Sequence, residues 1–221
     1  CALPISWHAM DTHVNLLWHK EYVSLFDYVF VSQKDHMPSL ADNTSAHVCF
    51  CPLTCDPAVN RPLGLEKKYD IVFVGTVTED YYDREAFLKF FQKHLDLHVF
   101  TNVYGKEMNR VFNQAKIVLN HPVRRDLNFR AFEAMASGTM LLSPYMGGGC
   151  EELFENNSDL VLFDPDKPSD GIAKARYYLA ETAEREKIAG QGRRKVIRFH
   201  TRSCRAEEMI RFITQNPVTR T

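Results

Sequence analysis

The chain reads as an α/β protein of the doubly wound, parallel-sheet class. Three observations predict this. Five short apolar, β-branched runs recur between residues 69 and 163, helical patterns separate most of them, and glycine or polar residues follow the ends of the runs. Strands alternating with helices at this spacing lie parallel with helices on both faces, and such sheets bind ligands beyond their carboxyl ends.

In chain order, residues 15–24 place Leu16, Leu17, Tyr22 and Val23 between charges, as an amphipathic helix does. Residues 26–33 form a β-branched and aromatic strand, and residues 48–53 a second one. Residues 55–64 are rich in turn formers and read as a linker, so residues 1–60 look like the tail of one α/β unit and residues 65–221 like a second. In the second unit the strands are 69–75, 97–100, 116–120, 139–143 and 160–163. Helices are expected at 84–94, 106–116, 128–137 and 150–156. The residues from Ser169 to Gln215 hold two or three polar helices whose charges read as a solvated face.

Composition narrows the function classes. The 221 residues are 45% hydrophobic and 25% charged, an ordinary globular balance, and 27 basic against 28 acidic residues give a formal net charge of -1. No bulk attraction to nucleic acid or membrane is present, so a partner is recognised locally. No apolar run approaches the roughly 20 residues of a bilayer span, and the expected compartment is the cytoplasm. The chain begins at Cys1 inside an apolar stretch, as expected of a piece of something longer. His47, Cys49, Cys51 and Cys55 invite a zinc reading, but their spacing matches no paired Cys-x2-Cys arrangement and Pro52 breaks the run; no metal is expected.

The loops after the strands concentrate three features. Asn128 can cap the helix at 128–137, with Gly138 just past its end, which aims a helix amino terminus at the carboxyl edge of the sheet. Arg130 falls in its first turn, where the helix dipole disfavours a cation unless an anion is near, and Arg124 and Arg125 share the preceding loop. Three arginines there suit a phosphate-bearing ligand; pairing with Asp126, Glu133 or surface carboxylates is the alternative. Gly147, Gly148 and Gly149 can form an anion nest or a tight strand-to-helix turn. Glu133 sits in an apolar helix face and needs donors, from protein or from ligand hydroxyls.

The block Leu127-Asn-Phe-Arg-Ala-Phe-Glu-Ala-Met-Ala-Ser-Gly138, followed by Met140-Leu-Leu-Ser143 and the glycines, resembles the donor-binding half of retaining GT-B glycosyltransferases, and within them the CgeB-like branch. The resemblance extends to the Trp7–Asp11 segment, the strands at 26–32 and 69–75, the 52–57 turn and the 104–120 segment. It implies a Rossmann-like fold and a nucleotide-diphosphate sugar, UDP-linked first of all, bound without a metal or other cofactor. Its nucleotide-sugar site would comprise Gly75, Thr76, Tyr104, Asn120, Arg124, Arg125, Asn128, Arg130, Glu133, Gly147, Gly148 and Gly149. Arg130 would stabilise the diphosphate and Glu133 the ribose hydroxyls, the two acting as the catalytic pair. In many relatives a sugar-contacting glutamate stands where this chain has Arg125. Asp11 and His13 are candidates for the acceptor side, or else a helix cap and an interface histidine. The acceptor, whether glycan, protein or small molecule, is not named by any residue. A non-catalytic nucleotide-sugar-binding module is the alternative; a receiver-like domain is disfavoured because Gly75-Thr-Val-Thr stands where it would need acidic residues.

Overall fold

The computed structural model describes residues 3–78 and 82–218. Cys1 and Ala2, which open the apolar stretch, lie outside the described residues. The described residues form two parallel sheets. The first has three strands in the order β1-β2-β3, namely β1 (Ser6–Ala9), β2 (Tyr28–Val31) and β3 (His47–Phe50). The second has five strands in the order β5-β4-β6-β7-β8: β4 (Tyr69–Val74), β5 (Leu97–Phe100), β6 (Ala115–Leu119), β7 (Met140–Pro144) and β8 (Val161–Phe163). All five expected strands of the second unit are present. The strand β1 was not recognised as an element in the sequence, because four residues of graded burial carry too little periodicity.

Alternation along each central strand decides which helices cover which face. Val72, Val74, Val118 and Leu141 point into a cluster with Met108, Val111 and Phe112 of α4 (Gly105–Asn113) and Phe132 and Met135 of α5 (Phe129–Ala136). Ile71, Phe73, Ile117, Leu119, Met140 and Leu142 point the other way, onto Leu88 and Phe91 of α3 (Tyr82–Gln92) and Ile172, Ala175 and Tyr178 of α7 (Pro168–Ala180). Helix α8 (Thr182–Phe199) serves both clusters, with Val196 in one and Ile188 in the other. The helix expected at 150–156 is the single turn α6 (Cys150–Leu153), because Phe154 turns to extended backbone.

Around the first sheet, α1 (Thr12–Tyr22) and the short α2 (Met37–Ala41) stand on one side, where Ala9, Val23, Val29, Val31 and Leu40 are buried. The other side holds Tyr28, Phe30 and Cys51 against Met209, Phe212 and Ile213 of the last helix, α9 (Arg202–Gln215). The Tyr28 hydroxyl donates to the Asn216 carbonyl at 2.6 Å, so the end of the chain is fastened to its beginning. The 55–64 segment is also tied down: Asn109 and Asn113 accept from the Arg61 and Leu63 N–H groups at 3.1 and 2.6 Å.

In the five-stranded sheet β5 lies on one side of β4 and β6 on the other. That reversal opens a crevice beyond the carboxyl ends of β4 and β6, the place where sheets of this class bind ligands.

Candidate functional site

Gly75 and Thr76 follow β4, and Asn120 and His121 follow β6; with Arg84, Asn128, Phe129 and Arg130 they line a cavity of about 230 Å³ in this crevice. Gly75 has no room for a side chain, since a Cβ there would meet the Phe73 ring at 2.8 Å. Arg84 is buried and donates to the carbonyls of Thr76 at 2.7 Å and His121 at 2.8 Å, which fixes the two loops against each other.

Helix α5 starts at this cavity. Asn128 has extended backbone, and its side chain accepts from the Ala131 N–H at 3.3 Å, the cap expected from its residue type. Its amide also exchanges hydrogen bonds with that of Asn120, each 3.2 Å long, so Asn120 and Asn128 lock the loop end to the helix start. Gly138 ends α5 with a φ of 78°, the left-handed position that glycine accepts without strain.

Arg130 and Glu133 form an ion pair of 2.8 Å one turn into α5. Arg130 also contacts the Met108 sulfur and lies 5.7 Å over the Phe112 ring. Burial raises the Glu133 carboxyl above the usual carboxylate range, with Arg130 and then Arg202 pulling it back down. Burial likewise lowers Arg130, while Glu133 and Tyr104 act in the opposite direction. Tyr104, two-thirds exposed, precedes α4 on that side. Thus Gly75, Thr76, Asn120, Asn128 and Arg130 are together at the crevice, with Glu133 and Tyr104 beside Arg130. A second cavity of about 290 Å³, lined by His8, Met10, Leu53, Thr54 and Arg202 among others, shares Phe129 with the first and lies among the first sheet, the start of α5 and α9.

Other expected members are elsewhere. Arg124 and Arg125 do not converge with Arg130: both have left-handed backbone, with φ of 48° and 62°, and this turns them out of the crevice. Arg124 donates to the His13 carbonyl at 2.9 Å, and the exposed Arg125 pairs with Asp166 at 3.4 Å. Both line a neighbouring cavity of about 500 Å³ with Phe87, Phe90 and Pro122, which shares His121 with the crevice cavity. The glycine run is likewise not open to a phosphate in this arrangement. The Asp35 carboxylate accepts the Gly148 N–H at 2.7 Å, the Lys34 N–H reaches the Gly148 carbonyl, and Lys34 pairs with Glu152. A carboxylate of the first sheet's loop thus takes the place expected for the ligand's anion.

Asp11 stands before α1 with a φ of 57°; its side chain makes no cap hydrogen bond, although its carbonyl accepts from Val14 and Asn15. It lies beside His13 and the buried Asp126, whose nearest polar atoms are within 4.8 Å of one another. Asp126, Arg84, His121 and Phe129 were missed as site residues in the sequence. Arg84 carried a usable signal, a cation in the first turn of a helix that follows a strand; Asp126 carried none.

Among known proteins, a family model described as "Glycosyl transferase-like" matches residues 60–211, more than half of the chain. The chain belongs to the glycosyl transferase-like family. Solved structures share its fold. Sucrose-phosphate synthase from Thermosynechococcus elongatus superposes with a TM-score of 0.70 at 16% identity, covering 94% of this chain and 63% of that one. Anabaena HepE, solved with UDP and glucose, gives 0.76 at 11% identity over 96% and 72%. TarM of S. aureus, solved with fondaparinux, α-GlcNAc-glycerol and UDP, gives 0.70 at 12% identity over 95% and 49%. This glycosyl transferase-like chain therefore spans between about half and three quarters of the structures it resembles. No curated protein sequence matches it significantly. No helix among its described residues is long and apolar enough to cross a membrane.

Proposed function

We propose that this chain carries the donor-binding half of a retaining, CgeB-like glycosyltransferase that takes a UDP-sugar in the cytoplasm and transfers its sugar to a hydroxyl-bearing acceptor. The observation that carries this reading is the Arg130–Glu133 pair at the first turn of α5, beside a cavity at the point where strand order reverses. The N–H groups and dipole of the helix start favour an anion, and Arg130 adds a full charge where a diphosphate would lie. Leaving-group stabilisation is the main electrostatic demand of such a transfer, since the diphosphate gains charge as the glycosidic bond breaks, and these groups supply it without a metal. Glu133, whose ionised form Arg130 and then Arg202 favour against the burial that raises its carboxyl, can accept from both ribose hydroxyls as a carboxylate. The 65–221 region would hold the donor, and the first sheet, through Asp11 and His13, would border the acceptor. HepE was solved with UDP and TarM with UDP, which makes UDP the first nucleotide to test.

Calorimetric titration of the purified chain with UDP, GDP and UDP-sugars, with and without EDTA, tests the reading. Binding of one diphosphate that EDTA leaves unchanged supports it; a folded chain that binds none refutes it. A second reading, a binding module without transferase activity, is favoured by the Asp35 carboxylate on Gly148. Release of UDP from a bound UDP-sugar in the presence of water or acceptor would exclude it.

A further inference from the structure

The larger cavity beside the crevice has a lining that a nucleotide diphosphate does not account for. It lies beyond the carboxyl ends of β6, β7 and β8, on the side of α3 and α7, and shares His121 with the crevice cavity. Its volume of about 500 Å³ is within the range of small-molecule sites. Phe87 and Phe90 of α3 give it an aromatic wall. The Phe87 ring is held in place, its centroid 4.2 Å from that of His121 and 4.5 Å from that of Phe91. Pro122, Pro144, Pro165 and Pro168 also line it. Proline backbone has little freedom to lose, so this wall is formed before a ligand arrives and ordering it costs little.

The cavity continues past the exposed Arg125–Asp166 pair. A further cavity of about 420 Å³, with Tyr145 and Lys174 in its wall, shares Arg125, Pro165 and Asp166 with it, so the two form one groove along the edge of the sheet. The charges of this groove select against an anion. Among the described residues that line it, Arg124, Arg125 and Lys174 face Asp83, Asp164, Asp166 and Asp170. Burial pushes His121 down to about 4, so it adds no charge at neutral pH. The cations are also engaged: Arg125 stands on Asp166, Lys174 on Asp170 at 2.8 Å, and Arg124 on the His13 carbonyl. A phosphate or carboxylate here meets more like charge than opposite charge.

A neutral glycan matches this lining. A pyranose presents C–H faces that lie flat on aromatic rings, while its hydroxyls donate to carboxylates and accept from guanidinium groups. Phe87 and Phe90 offer rings in one part of the groove and Tyr145, 37% exposed, offers one in the other. Asp83, Asp166 and Arg125 are exposed beside them and supply the polar partners. A groove with rings in both parts suits a chain of sugar units better than a single base.

We propose that the groove from Phe87 to Tyr145 binds a neutral oligosaccharide, which serves as the acceptor of the transferred sugar. The acceptor role rests on the donor-site reading above; the binding does not. The shared His121 brings one end of the groove to the crevice where the diphosphate would lie. In the transfer an acceptor hydroxyl oxygen bonds to the anomeric carbon, the bond from that carbon to the diphosphate oxygen breaks with its electron pair, and the hydroxyl proton passes to the departing diphosphate. The test is saturation-transfer NMR on the purified chain, without nucleotide, with maltotriose, cellotriose and N-acetylchitotriose, and with trigalacturonate as the anionic control. Asp83→Ala, Asp166→Ala and Phe87→Leu variants are titrated alongside, each checked by near-ultraviolet circular dichroism. The expected result is binding of at least one neutral trisaccharide, weakened roughly tenfold in Asp166→Ala and Phe87→Leu, with UDP affinity unchanged within about twofold. Preference for trigalacturonate, equal affinity in all three variants, or displacement of the trisaccharide by uridine would overturn it. A chain that binds UDP but no trisaccharide sinks this inference alone; one that binds a trisaccharide but no UDP sinks the donor-site reading and the acceptor role, and leaves the glycan groove standing.

Discussion

Removing Arg130 tests the donor site most directly. Its side chain is 18% exposed and its partner Glu133 is 22% exposed, so the pair acts where water screens only part of the charge. A hydrogen bond to a charged group contributes about 1.5–3 kcal/mol, and each 1.4 kcal/mol is tenfold in affinity, so Arg130→Ala should weaken UDP by roughly 10- to 100-fold. Uridine has no diphosphate, and its affinity should change less than about threefold. A complication comes from the same geometry. Without Arg130 the buried Glu133 loses the first of its two compensating charges, its carboxyl rises further, and its hold on ribose weakens. The double variant Arg130→Ala/Glu133→Gln removes that unpaired charge, and Glu133→Gln alone should weaken uridine and UDP equally, by about 1–3 kcal/mol. Isothermal titration of all three variants at pH 7.5 with EDTA separates the contributions. Equal losses for UDP and uridine in Arg130→Ala, or no loss in either, would refute the assignment of Arg130 to the diphosphate.

Three further predictions concern stability. Gly192 lies inside α8, where glycine-to-alanine normally stabilises by about 1 kcal/mol, yet a Cβ there would stand 2.1 Å from the Asp159 carbonyl oxygen. Gly192→Ala should therefore lower stability by about 1–3 kcal/mol in urea unfolding; an increase would show that the close approach is not required. His200 is buried between Phe132 and Phe154 and accepts from Arg205 through Nδ1 at 2.8 Å; burial, then Arg205 and Lys195, hold it down at about 4. The unfolded chain takes this proton near 6.5 and the native one near 4, so stability present above 6.5 is lost as pH falls toward 4, by about 3 kcal/mol from this group. His200→Gln should flatten that acid limb of a Tm-versus-pH curve, and an unaltered limb would assign it elsewhere. Asp126 has the opposite sign: burial pushes it up from 3.8 to about 6, so the native state holds its proton longer and stability falls as pH rises from 4 to 6. Asp126→Asn should then raise Tm at pH 7.5 by roughly 6–12 °C, about 3 kcal/mol for a chain of this size; a lower Tm would mean that the carboxylate is already well paired.

Much of the second unit was legible in the sequence because its strands are buried on both faces. Residues 97–100 match β5 at both ends, and 116–120 differ from β6 by one residue at each end, since continuous apolar runs bounded by polar turns have few other solutions. Asn128 and Gly138 were readable as the ends of α5 for a local reason, one accepting a backbone N–H and the other adopting a left-handed φ. The first sheet was less legible: Ser6–Ala9 is too short to announce itself, and Asn15 breaks the helical geometry inside α1.

The sequence by itself determined the doubly wound second unit and the helix start that faces its crevice, and it offered the pairing of Arg130 with Glu133, three residues apart on one helix face, as one of several alternatives that the structure then selected. All of these follow from periodicity and near-neighbour chemistry. The tertiary structure alone decided where Arg124 and Arg125 point, that Asp35 occupies the glycine turn across 113 residues of chain, and that Asp126 meets His13 and Asp11. Residue type does not encode these outcomes. They depend on two consecutive left-handed residues in one loop and on how closely a second sheet is drawn against it, and neither leaves a periodic trace in the chain.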